Sequence, residues 1–200
     1  MIAIIDYGAG NIFSVKNALD YLGVENKLTA DRNEICAADE IILPGVGAFP
    51  WAMKMLRDSG LVDTIREEAK KKPFLGICLG MQLIFDKGYE FEETDGLRLI
   101  GGKVEKIDRN DMIIPHMGWN ELETNRDCPI LKGLPEHPYV YFVHSYAAVC
   151  DDANVSAYCD YGGKITALVH DGAYVYGAQF HPEKSGEVGL QMLRNFAELA

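Results

Sequence analysis

The chain has 200 residues, 48% of them hydrophobic and 24% charged, a size and balance that suit one α/β domain with a sizeable core. Asp and Glu outnumber Lys and Arg by 30 to 19, and the net charge of −11 argues against a nucleic-acid or anionic-membrane partner, because binding phosphates needs clustered cations. Its five cysteines (Cys36, Cys78, Cys128, Cys150 and Cys159) form no C-x-x-C pair and fit neither a disulfide framework nor a zinc site, so the expected compartment is the cytosol, with thiols reduced.

The opening Met1-Ile2-Ala3-Ile4-Ile5-Asp6 reads directly into a strand, without a signal peptide, and no apolar run approaches the ~20 residues of a membrane helix. Strand Ile2–Ile5 ends in the glycine-rich turn Asp6-Tyr7-Gly8-Ala9-Gly10. Ile12, Val15, Leu19 and Leu22 then recur at helical spacing, closed by Gly23. Val24–Thr29 reads as a second strand. Ile41-Ile42-Leu43 reads as a third, broken by Pro44-Gly45-Val46-Gly47. A helix carrying Leu61, Val62, Ile65 and Ala69 ends in Lys70-Lys71-Lys72, read as a solvated helix end. It leads to a fourth strand, Pro73-Phe74-Leu75-Gly76-Ile77. Continuous apolar strands between helices predict a doubly wound, mostly parallel sheet flanked by helices.

The second half is strand-like at Lys103–Ile107, Tyr139–Ala148, Val155–Tyr161, Ile165–His170 and Tyr174–Phe180, with a turn at Asp171-Gly172. An antiparallel or mixed section added to the parallel core is expected. Ser185 is placed to cap a last helix whose Val188, Met192, Phe196 and Leu199 face inward. With no repeat, low-complexity tract or linker, a single domain over 1–200 is expected.

Gly76-Ile77-Cys78-Leu79-Gly80 sits where the fourth strand hands over to a helix begun by Met81-Gln82-Leu83. It has the pattern of a nucleophile elbow with cysteine at the exposed point, at a helix N-terminus that favours thiolate. The N–H of Leu79, next after the nucleophile, is a natural oxyanion donor, and the Val46-Gly47 turn of the neighbouring strand offers a second. A buried, inert cysteine at a glycine-bounded strand end is the alternative. Gln179-Phe180-His181-Pro182-Glu183 supplies a base. In extended chain His181 and Glu183 project to one side, with Pro182 stiffening the pair. Together these residues have the logic of a Cys, His, Glu triad. His116, His137, His144 and His170 lack that carboxylate spacing and are assigned structural or surface roles; no compact spacing suggests a metal site. Gly8-Ala9-Gly10-Asn11-Ile12-Phe13 begins like a dinucleotide fingerprint but lacks the third glycine, so no cofactor is expected.

The combination resembles the class I, triad-type glutamine amidotransferases. Within them, Leu43–Phe49, Pro115–Asn120, Tyr141–Tyr146, Gln179–Ser185 and Asp6–Asn11 resemble the glutaminase subunits of imidazole glycerol phosphate synthases, along essentially the whole chain. The resemblance implies that Cys78 is the nucleophile, His181 the base and acid, and Glu183 the orienting carboxylate. It implies oxyanion donors at Leu79 and Val46-Gly47, and substrate contacts from Gln82, Glu90, Ser145 and Tyr146. It also implies a partner face with Asn11, Trp119, Tyr141 and Lys184. The implied partner is a (β/α)8-barrel cyclase subunit in a heterodimer that uses the ammonia in histidine biosynthesis, with no metal or organic cofactor. A glutaminase for another synthase, a free-standing γ-glutamyl hydrolase or cysteine peptidase, and a non-catalytic binding module are the rival expectations.

Overall fold

The computed structural model describes residues 1–108 and 112–200. Strand β1 (Ile2–Ile5) is followed by α1 (Ile12–Tyr21), β2 (Asn26–Thr29), α2 (Arg32–Ala37), β3 (Glu40–Gly45), α3 (Phe49–Asp58), α4 (Val62–Glu68), β4 (Phe74–Cys78) and α5 (Leu79–Leu83). Short β5 (Lys87–Gly88) and β6 (Thr94–Asp95) precede β7 (Gly102–Lys106), β8 (His116–Glu121) and β9 (Glu123–Thr124). Then come β10 (Tyr139–His144), β11 (Tyr146–Cys150), β12 (Val155–Asp160), β13 (Lys164–His170), β14 (Val175–Ala178) and α6 (Gly186–Ala197).

The main sheet has the order β2-β1-β3-β4-β14-β13-β12-β9. Its first five strands are parallel and the remaining pairings antiparallel, as expected from the change of character along the chain. Successive side chains of a strand point to opposite faces, and here both faces are covered. In β3, Ile41 and Leu43 pack into one core and Ile42 into the other; in β4, Phe74 opposes Leu75 and Ile77. Helices α3 and α6 bury one face each, through Phe49, Ala52, Met53 and Leu56, and through Gly189, Met192, Leu193 and Phe196. Among the described residues no helix is long and apolar enough to cross a membrane.

Several expectations need correction. Tyr139–Ala148 is not one strand: it breaks at Ser145 into β10, paired with β8 in a two-stranded ribbon, and β11, paired with β7 in a four-stranded sheet. Pro115–Asn120, where no strand was expected, holds most of β8. Helices α2 and α3 were not anticipated. Asp31 caps α2 by accepting from the N–H groups of Asn33 and Glu34 at 2.7 and 3.2 Å, a Ser/Asp-type start that local sequence does carry. Lys72 is not a solvated end. Its ammonium donates to the carbonyls of Cys36 and Ala38 at 2.7 and 2.6 Å and pairs with Glu68, closing the C-terminus of α2.

Candidate active site

Cys78 ends β4 immediately before α5, so strand becomes helix at a single residue. Its backbone sits at φ 55° and ψ −112°, a left-handed setting that costs a non-glycine residue ~1–3 kcal/mol. The elbow is crowded. A Cβ on Gly76 would lie 2.6 Å from the Gly80 carbonyl oxygen, and one on Gly80 would lie 1.8 Å from that of Leu43. One on Gly45 would meet the Gly80 nitrogen at 2.6 Å, so the Val46-Gly47 turn is drawn up beside the elbow.

His181 is held by its backbone: its N–H donates to the Tyr141 carbonyl at 2.9 Å. Ser185 precedes α6 but does not cap it. Its hydroxyl donates to the His181 carbonyl at 2.6 Å and accepts the Tyr141 N–H at 3.0 Å, so it ties β10 to the His181 turn instead. His181 and Glu183 do meet, with Nδ1 2.8 Å from Oε1. They meet through a 3₁₀ turn, Pro182–Lys184, rather than through extended chain; proline's fixed φ suits the turn's first position, and the Lys184 N–H closes it onto the His181 carbonyl at 3.0 Å. The contact through Nδ1 leaves Nε2 for Cys78, which lines the same cavity and whose Sγ lies 4.0 Å from the Val143 carbonyl oxygen. Burial alone pushes the imidazole pKa down. The hydrogen bonds and charges of Cys78 and Glu183 outweigh it and raise the pKa to about 9. The Glu183 side chain is fully buried, and its second oxygen, Oε2, has no partner among the described residues.

Cys78 and His181 open onto a cavity of about 370 Å³. Val46, Gly47 and Leu79 line it, as do Gln82, Glu90, Ser145 and Tyr146. The Gln82 amide is already committed, donating to the Tyr146 carbonyl at 3.0 Å and to Gln179 Oε1 at 2.9 Å, so its own Oε1 is the atom left to receive a ligand. Glu90 Oε2 accepts the Phe49 N–H at 2.8 Å, at the start of α3. Pro115 and Val143, whose segments alone were singled out, also line the cavity, as does His144, which was assigned a structural or surface role. Of the four residues assigned to a partner face, none lines it. Trp119 and Tyr141 form an edge-to-face pair 6.1 Å apart on the β8–β10 ribbon. Lys184 is exposed in the His181 turn, and Asn11 accepts the Ser14 hydroxyl at the start of α1. A larger groove of about 840 Å³ beside α3 and α4 is lined by neither cysteine nor histidine, so size does not choose the site. Among the described residues, no three His, Cys, Asp or Glu side chains are grouped to hold a metal ion.

The family pattern described as glutamine amidotransferase class-I matches residues 3–199. The imidazole glycerol phosphate synthase subunit HisH of Bacillus cereus (strain G9842) is 51% identical over 197 residues, covering 98% of this chain and 93% of that one. The same subunit of Bacillus anthracis (strain A0248) is 50% identical over the same coverage. A crystal structure of a glutamine amidotransferase superposes with a TM-score of 0.77 at 22% identity, covering 100% of this chain and 98% of that one. A chain of PurLQS from Thermotoga maritima superposes with a TM-score of 0.75 at 20% identity, covering 98% of this chain and 96% of that one. The two structural likenesses speak for the fold alone. The sequence match runs from the first strand to the last helix, and by it this chain belongs to the class-I glutamine amidotransferases.

Proposed function

We propose that this chain, as one amidotransferase domain over 1–200, hydrolyses glutamine to glutamate and ammonia, and that it does so as the glutaminase subunit of an imidazole glycerol phosphate synthase. The observation that carries the reading is that Cys78, at a strained elbow, shares one cavity with an imidazole held by the buried Glu183 carboxylate. Half-identity to HisH subunits along nearly the whole chain supports the pathway.

In this mechanism His181 holds the proton of the Cys78 thiol, and Cys78 Sγ bonds to the carbonyl carbon of the glutamine side-chain amide. The oxyanion is met by the N–H of Leu79 and by the Val46-Gly47 turn; loss of one such donor typically costs ~10²–10³ in rate. His181 protonates the departing nitrogen, the C–N bond breaks, and ammonia leaves a γ-glutamyl thioester. Water, deprotonated by His181, attacks the thioester and returns glutamate and the free thiol. Gln82, Glu90, Ser145 and Tyr146 hold the amino-acid end. The ammonia passes to a (β/α)8-barrel cyclase subunit in a heterodimer docked over Asn11, Trp119, Tyr141 and Lys184. That subunit makes imidazole glycerol phosphate and an aminoimidazole carboxamide ribotide in histidine biosynthesis. No step calls for a metal or organic cofactor, and the cytoplasm is the compartment in which the pathway would run.

The test is glutamate release from glutamine with and without a cyclase partner and its ligand, with Cys78→Ala as control. Stimulation that disappears in the variant is expected. Stimulation by a different synthase alone would leave the chemistry and remove the pathway; no hydrolysis under any condition would remove both.

A further inference from the structure

A row of polar side chains on the β8–β10 ribbon runs up to the cavity wall, and its hydrogen bonds have only one possible direction. A carbonyl accepts and never donates, so the 2.8 Å contact between His144 Nδ1 and the Tyr146 oxygen places a proton on Nδ1. In the neutral ring, His144 Nε2 is then an acceptor. It lies 3.0 Å from His116 Nδ1, which must carry the proton of that contact. His116 Nε2 in turn faces the Asn120 amide nitrogen at 3.4 Å, and that nitrogen is aimed by the Asp160 carbonyl at 2.8 Å. The His116 ring is gripped between Phe142 and Tyr161, stacked at 4.6 and 4.0 Å. Burial holds the pKa of both histidines down at about 4, so both rings are neutral at pH 7.

The row ends on an oxygen with a second donor. Gln82 reaches the Tyr146 carbonyl at 3.0 Å, while the preceding carbonyl, of Ser145, accepts the Ile107 N–H at 2.9 Å. Both carbonyls at the β10–β11 break are therefore held, on the segment that lines the cavity with Cys78.

We infer that His116 and His144 are positioning residues: two neutral rings, each protonated on Nδ1, that hold the Ser145–Tyr146 backbone where it receives the amino-acid end of glutamine. The inference rests on reading the cavity as a glutamine site. His116 does not line the cavity, and both ring nitrogens of His144 are already committed, so neither ring serves the reacting amide. Their effect is on binding that is equal in ground and transition states, which shows in KM and spares kcat.

Two measurements test it. Nitrogen NMR of the full chain labelled in histidine is expected to show both rings as neutral Nδ1–H tautomers at pH 7; an Nε2–H tautomer or a charged ring at either position overturns the inference. In glutaminase assays with the cyclase partner, His144→Leu should raise KM for glutamine about tenfold while kcat stays within about threefold, because the part-buried Tyr146 carbonyl loses one of its two donors. His144→Asn, whose amide nitrogen falls near the place of Nδ1, should recover most of that loss. If the ring only filled space, leucine would serve better than asparagine, and that order overturns the inference. His116→Leu and His116→Asn give the same comparison one ring further from the cavity, with the same order expected, should His144→Leu fold poorly. A wild-type chain that hydrolyses no glutamine overturns the glutaminase reading and this role together; the wrong tautomer in an active enzyme overturns the role alone.

Discussion

His181 is where two opposed influences meet: burial would neutralise the ring, while the hydrogen bonds and charges of Cys78 and Glu183 raise its pKa to about 9. Its pKa is raised above the ordinary 6.5, so the stability it contributes is complete below that value and is lost as pH rises through about 9. Removing either support leaves burial less opposed. In an NMR titration, Cys78→Ala and Glu183→Gln should each bring the His181 pKa down from about 9, and the loss of stability between pH 7 and 9 should shrink with it. Glu183→Gln should also lower kcat about 10²-fold or more, since the base loses its orientation. The three residues were legible because the elbow pattern and the His-x-Glu spacing are local. The commitments around Tyr146 were not. They depend on which rotamers and tautomers face one carbonyl, brought in from β8, β10 and α5, and no spacing in the chain encodes that.

At the scale of elements, the join of β4 to α5 tolerates no side chain at its second glycine. Gly80→Ala would set a methyl 1.8 Å from the Leu43 carbonyl, backbone that cannot turn aside. A loss of about 3 kcal/mol in denaturant unfolding is expected, with activity falling as β3 and α5 part. Gly189→Ala, with its Cβ 1.9 Å from the Pro182 carbonyl, should act on the His181 turn from the α6 side. This join was readable from five residues. Strand β8 was not: its alternation is inverted, with apolar Met117 and Trp119 exposed and polar His116 buried, so it does not read as a strand with an apolar inner face. The break at Ser145 was hidden for the opposite reason. Tyr139–Ala148 carries no glycine or proline, only His144-Ser145 between its apolar halves, and the division arises because those halves pair with strands in different sheets.

Across the whole molecule, the parallel half was legible because strands buried on both faces are apolar throughout, and the antiparallel addition because its strands are separated by turn residues. The site lies at the C-terminal ends of β3 and β4, the customary place for ligands in an open α/β sheet. At the other end of β3, Glu40 is buried at 2% exposure with one carboxyl oxygen unpartnered among the described residues. Burial raises its pKa to about 7, against the pull of the terminal ammonium and the N–H groups of Ala200 and Leu199. The folded state thus holds this proton more tightly than the unfolded chain, and stability falls as pH rises from about 4.5 through about 7. Glu40→Gln should be more stable than the wild type at pH 8 by roughly 1–2 kcal/mol, with no difference at pH 4. A melting temperature unchanged at pH 8 would refute the assignment.

The left-handed backbone of Cys78 has a consequence for anyone improving this protein in the laboratory. Glycine is the residue that accepts φ 55° without strain, whereas alanine inherits the strain of cysteine. Cys78→Gly should therefore outlast the wild type by about 1 kcal/mol while hydrolysing nothing, and Cys78→Ala should not. A library of this chain screened for heat resistance alone would collect glycine at position 78, and its hardiest members would be inert.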